Sequence, residues 1–134
     1  MEQRFKVIPI RSDADIVTAR LAARSMAERM GFSSVDVVLI ATAVSEVARN
    51  IVAYAKQGEI TVTNTHRGTK KGLEVLARDE GPGICDLTQV MQDGYSTSRS
   101  LGLGLPGSKR LMDEFEIVSQ VGSGTKVTMR KWLR

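Results

Sequence analysis

A chain of 134 residues, 42% of them hydrophobic, is long enough to bury a core and short enough to point to a single domain over residues 1–134. One cysteine, Cys85, and one histidine, His66, argue against a disulfide framework and against zinc or redox chemistry, and no apolar run approaches the ~18 residues of a membrane span. Nineteen Lys and Arg against fifteen Asp and Glu leave a net charge of +4, but the basic residues are scattered and aromatics for base stacking are few, so nucleic acid is not an expected partner.

Residues Met1–Lys6 lack the apolar core of a secretory signal, which makes the cytoplasm the expected location. Phe5 to Ile10 alternates as a short strand, and Pro9 suits an edge because it cannot donate to a ladder. Ser12 or Asp13 can cap a helix with apolar positions Ile16, Ala19, Ala23, Met26, Ala27 and Met30, stopped by Gly31. Ser33 or Ser34 can cap a second helix to about Ala55. It is apolar almost all round, from Val35, Val38 and Leu39 to Val47, Ile51 and Val52, which predicts a central, buried helix.

Gly58 opens the β-rich run Glu59–Asn64, and a polar loop from His66 to Lys71 leads to Leu73–Arg78, an antiparallel hairpin. Cys85 to Ser100 has little periodicity beyond a short helix near Leu87–Met91. A helix over Leu103–Met112 precedes strands at Phe115–Ser119 and Thr125–Met129 around Gly122-Ser123-Gly124. The order βααββααββ predicts an α+β fold, a two-layer α/β sandwich with a mixed or antiparallel sheet and its helices on one face.

Three places carry chemistry. Glu46 and Asn50 stand one turn apart on the second helix and interrupt its apolar face, so they are either a hydrogen-bonded pair or the border of a cavity. In a kinase, a carboxylate there can take the proton of an incoming hydroxyl, and an amide carbonyl can bind Mg2+, which prefers oxygen. Asp79 ends a strand before Gly81, Gly83 and Ile84. That run also fits a plain tight turn, but the carboxylate can accept from an exocyclic amine, the glycines keep Cβ atoms away and Ile84 can wall a ring. Gly102, Gly104 and Gly107 lead into a helix whose free N–H groups suit phosphate, or else form a flexible linker.

In this order, Glu46-x-x-x-Asn50, Asp79-x-Gly81-x-Gly83, Gly102-x-Gly104-x-x-Gly107 and Gly124-Thr125 resemble the N, G1 and G2 boxes and trailing threonine of the GHKL ATPase/kinase superfamily, with its Bergerat, histidine-kinase-like ATPase fold. Ser45–Ile51, Asp93–Ser98, Gly104–Gly107, Lys109–Phe115 and Lys131–Arg134 are further similar, end to end, to the small serine/threonine kinases of the bacterial stressosome.

The resemblance implies an ATP- and Mg2+-dependent protein kinase that phosphorylates STAS-domain scaffold proteins of the RsbS and RsbR type. Once released, it would bind and activate a PP2C-type phosphatase of the RsbU type. Glu46 would be the general base, Asn50 the Mg2+ ligand and Asp79 the adenine partner. Gly81 and Gly83 would line the adenine pocket, Gly102, Gly104 and Gly107 would shape the phosphate lid, and Thr125 would support the adenine contact. Two positions depart from the family: Cys85 stands where proline is common, and Arg99-Ser100 where glycine is common, which bears on lid stiffness and ATP affinity. The competing expectation is an anti-sigma factor with kinase activity that acts by sequestering a sigma factor. His66, in a hairpin without helical context, does not fit a phosphoacceptor histidine.

Overall fold

The computed structural model describes residues 5–55, 57–81, 104–120, 122 and 124–134. In chain order they form β1 (Phe5–Ile10), α1 (Asp13–Met30), α2 (Ser34–Asn50) running into a π-helical turn (Ile51–Ala55), β2 (Gly58–Arg67), β3 (Lys70–Asp79), α3 (Gly104–Leu111), β4 (Glu114–Gln120) and β5 (Gly124–Trp132). The short helix expected near Leu87–Met91 lies outside the described residues.

Local chemistry sets the helix ends. Ser12 is the N-cap of α1, and the Asp15 carboxylate reaches back to accept from the backbone N–H of Ser12 at 3.2 Å and of Arg11 at 2.8 Å. Gly31 closes α1 in the left-handed region at φ +93°, with its N–H on Glu28 O and that of Phe32 on Ala27 O, the two bonds of a Schellman end. Ser33 caps α2 by accepting from Asp36 N–H at 3.2 Å.

Among the described residues the strands make one sheet in the order β1-β2-β3-β5-β4, antiparallel at every pairing. One face of each strand turns toward the helices: Ile8 and Ile10, Ile60 and Val62, Leu73 and Val75, Val127 and Met129 pack with Ala19, Ala23, Ile40, Val44 and Val47 in a single core. The register aligns Gly58 with Asp79, Asp79 with Thr125 and Thr125 with Ser119. Residues two apart in a strand share a face, so this row continues the core-facing side to one end of the sheet, directly after the turn that ends α2.

Two expectations are corrected. The hairpin loop shrinks to Gly68 and Thr69, and His66, Arg67, Lys70 and Lys71 stay in strand pairing. Trp132 holds that end: the Arg67 guanidinium lies 4.9 Å and the Lys70 ammonium 5.7 Å from its ring centroid, a tertiary contact that local pattern does not carry. The first half of α2 is not buried all round, since Val35 is 66% and Val38 58% exposed; they lie on the side turned away from sheet and neighbouring helices. In β1 the core residues are Ile8 and Ile10, while Phe5 and Val7 face out.

Candidate functional site

The second half of α2 explains its polar interruptions. Glu46 is buried one turn after Ala43, whose carbonyl accepts from the Ser108 hydroxyl of α3 at 3.5 Å, so Glu46 lies on the side of α2 that α3 packs against. A buried carboxylate persists only with a partner, and Glu46 has one. Asn50 follows a turn later, half-buried, at the last α-helical residue. Immediately beyond it the helix widens into the π-helical turn Ile51–Ala55, a distortion that recurs at functional sites. Beside Asn50 in the chain, the Nε of Arg49 is buried and, among the described residues, without a hydrogen-bond partner, a donor suited to an anion.

Asp79 sits where three glycines admit it. A Cβ on Gly58 would lie 2.5 Å from Arg78 O and 2.9 Å from Ile51 Cγ2; one on Gly81 would lie 2.6 Å from Ala55 Cβ. On Gly124, at φ +102°, a Cβ would lie 2.1 Å from the Asp79 carbonyl oxygen. The glycines therefore bring the end of β3 against the π-helical turn on one side and the start of β5 on the other. Asp79 Oδ1 accepts from the Gly81 N–H at 2.9 Å, which fixes the carboxylate and leaves Oδ2 to accept from a ligand amine.

Across from Asp79, the Thr125 and Ser119 hydroxyls are 2.8 Å apart, and Ser119 Oγ donates to Gly124 O at 3.2 Å. The two hydroxyls thus form a hydrogen-bonded pair in register with Asp79. A cleft of about 200 Å³, lined by Gln57, Gly58, Glu59, Arg78, Asp79 and Glu80, borders this end of the sheet.

Thus Glu46 and Asn50 share one side of α2, and Asp79, Gly81 and Thr125 meet at the sheet end beneath the turn that continues α2. Gly104 begins α3 and Gly107 is buried within it. Gly83, Ile84 and Gly102 lie outside the described residues. Gly58 and Ser119 are site-shaping residues that sequence reasoning missed. The available signal was the glycine opening β2, whose register partner is Asp79.

A carboxylate held in a glycine cradle at the end of a central strand, a buried Glu one turn from Asn on the covering helix, and a glycine-started helix packed on that helix together define an ATP-binding domain of the Bergerat type. Residues 10–131 match the family described as Histidine kinase-like ATPase domain, and the chain belongs to it. It is 50% identical over 127 residues to the serine/threonine-protein kinase RsbT of Bacillus subtilis (strain 168), covering 95% of this chain and 96% of that one. An anti-sigma F factor of Thermoanaerobacter sp. (strain X514) is 33% identical over 121 residues, covering 86% and 83%. Among solved structures, the RsbU and RsbW domains of a Mycobacterium tuberculosis protein share the fold at a TM-score of 0.66 and 20% identity, covering 98% of this chain and 32% of that one. Within the family, the chain groups with the RsbT-like serine/threonine kinases. Among the described residues no helix is long and apolar enough to cross a membrane.

Proposed function

We propose that this chain is a single-domain cytoplasmic kinase that transfers the γ-phosphate of ATP to serine or threonine hydroxyls of STAS-domain scaffold proteins of the RsbS and RsbR type. On release from the scaffold it binds and activates a PP2C-type phosphatase of the RsbU type. The observation that carries the reading is the buried Glu46 one turn from Asn50, on the side of α2 against which α3 packs.

In this reading, Glu46 accepts the proton of the substrate hydroxyl as its oxygen bonds to the γ-phosphorus, while the bond to the β–γ bridging oxygen breaks and ADP leaves. The start of α3, at Gly104, offers backbone N–H groups to phosphate oxygens, with Gly102 before it and Gly107 a turn on. Asp79 Oδ2 accepts from the adenine amine, Gly81 and Gly83 keep the ring approach open, Ile84 walls the ring, and Thr125, in register with Asp79, supports the adenine contact. Asn50, half-buried at the last residue of α2, carries an amide oxygen, a hard ligand of the kind Mg2+ prefers, and a magnesium site often takes one or two protein oxygens plus phosphates. Bound there, the ion would neutralise charge building on the phosphates.

A second reading rests on the 33% identity to anti-sigma F factors over most of the chain: an anti-sigma factor with kinase activity that sequesters a sigma factor. Transfer of labelled γ-phosphate from ATP·Mg2+ to a purified STAS-domain scaffold, with a sigma-factor pull-down alongside, separates the two. Labelled serine or threonine supports the kinase of a scaffold; no transfer with firm sigma binding supports the second reading.

A further inference from the structure

Lys131 is charged yet only 5% exposed. It shares the core-facing side of β5 with Val127 and Met129, in a closing stretch where Arg130 and Arg134 are far more open to solvent. Its ammonium donates to the carbonyl oxygen of Leu111, the last residue of α3, at 2.8 Å. Two carboxylates lie 3.9 Å away: Asp36, in the first turn of α2, and Asp113, just beyond α3. Asp113 is already engaged, since it accepts from Arg134 at 2.7 Å and from the Trp132 N–H at 2.8 Å. The shortest bond the Lys131 ammonium makes is therefore to the end of α3.

Burying an ammonium is costly unless it is paired and hydrogen-bonded, so its position needs an explanation that an apolar side chain would not satisfy. The helix it holds supplies one. At eight residues α3 is too short to persist alone, and tertiary anchors must fix it. Its middle is held by the fully buried Ser108 on the Ala43 carbonyl of α2, and its C-terminal carbonyl by Lys131, where a cation also complements the helix dipole. Through Asp36, the same ammonium reaches the helix that carries Glu46 and Asn50.

We infer that Lys131 is a positioning residue for phosphoryl transfer: it joins α2 and α3 so that the phosphate-facing start of α3 is held at a set distance from Glu46 and Asn50. This rests on the nucleotide reading above, in which phosphate sits at the Gly104 end of α3. Asp79 and its glycine cradle lie at the end of the sheet occupied by Gly58 and Thr125, whereas Lys131 pairs with Leu73 at the other. Losing Lys131 should therefore weaken recognition of the polyphosphate and spare recognition of adenine.

The experiment is titration of the full chain and of its Lys131→Met variant with ATP·Mg2+ and with AMP, followed by amide chemical shifts. The expected result is at least a tenfold rise in Kd for ATP·Mg2+ with the AMP Kd unchanged within twofold. ATP affinity within twofold of wild type, or equal losses for ATP and AMP as a merely structural role would give, overturns the inference. If Lys131→Met lacks a cooperative unfolding transition, Lys131→Gln, which keeps a donor, is judged by the same two criteria. Wild-type protein that binds ATP·Mg2+ no more tightly than AMP overturns the phosphate assignment of α3 itself and this inference with it, whatever the variants do.

Discussion

Replacing Gly124 by alanine tests whether Asp79 is held by close approach of β5. The added Cβ would lie 2.1 Å from Asp79 O and 2.9 Å from Glu80 Cα; ordinary contact begins near 3.4 Å, so one segment must move by about 1.3 Å. Both obstacles are backbone and cannot swing aside. At φ +102° the alanine also carries the cost of a left-handed conformation, about 1–2 kcal/mol. Loosening the pairing of Asp79 with Thr125 adds about 1 kcal/mol for a weakened hydrogen bond. The sum, about 2–3 kcal/mol, corresponds to a fall in Tm of roughly 6–15 °C for a domain of this size. Gly124→Ala should therefore melt that much lower and, at a temperature where it is still folded, bind ATP at least tenfold more weakly by calorimetry. Gly122→Ala is the control: at φ +83° with nothing within 4 Å of the added Cβ, it pays only the conformational cost and should keep its affinity. A Gly124→Ala protein with unchanged Tm and affinity would refute the argument that this glycine seats Asp79.

Asp79→Asn keeps an acceptor on the atom that takes the Gly81 N–H but places an amide where the adenine amine should donate; ATP affinity should fall about tenfold or more, and equal calorimetric affinities would count against the adenine assignment. Away from the site, Glu114 accepts from Arg67, the Trp132 indole and Arg130, with Arg67 the largest influence, and these hold its carboxyl at about 2, below the ordinary 4.5. A depressed folded-state value contributes stability fully above pH 4.5 and loses it as pH falls toward 2. Glu114→Gln should thus melt lower than wild type at pH 7, with the gap closing between those limits; a gap independent of pH would show that the cluster stabilises by packing alone.

What was legible in the sequence follows from range. Glu46 and Asn50 stood out because a helix four residues apart is a local pattern, and the Asp79 turn because glycine spacing is local too. Gly58, Ser119 and Lys131 act through register and packing. Gly58 matters because Asp79 is its cross-strand partner, Ser119 because it faces Thr125, and Lys131 because β5 turns it inward onto α3 while its neighbours in the closing basic run stay outside. The hairpin strands run longer than local pattern predicts for the same reason, since their tip is held by Trp132, far along the chain. The apolar run at Val35 and Val38 points the opposite way, because hydrophobicity alone fixes no burial: among the described residues no element covers these two side chains.

The most direct measurement of the central claim is single-turnover phosphotransfer by Glu46→Gln beside its ATP affinity, using a STAS-domain scaffold as acceptor. The account predicts a loss of at least a hundredfold in the transfer rate with ATP affinity retained within a few fold, because in the proposed reading Glu46 takes the hydroxyl proton and does not hold the nucleotide. Transfer at a near wild-type rate would contradict the assignment of Glu46 as the base.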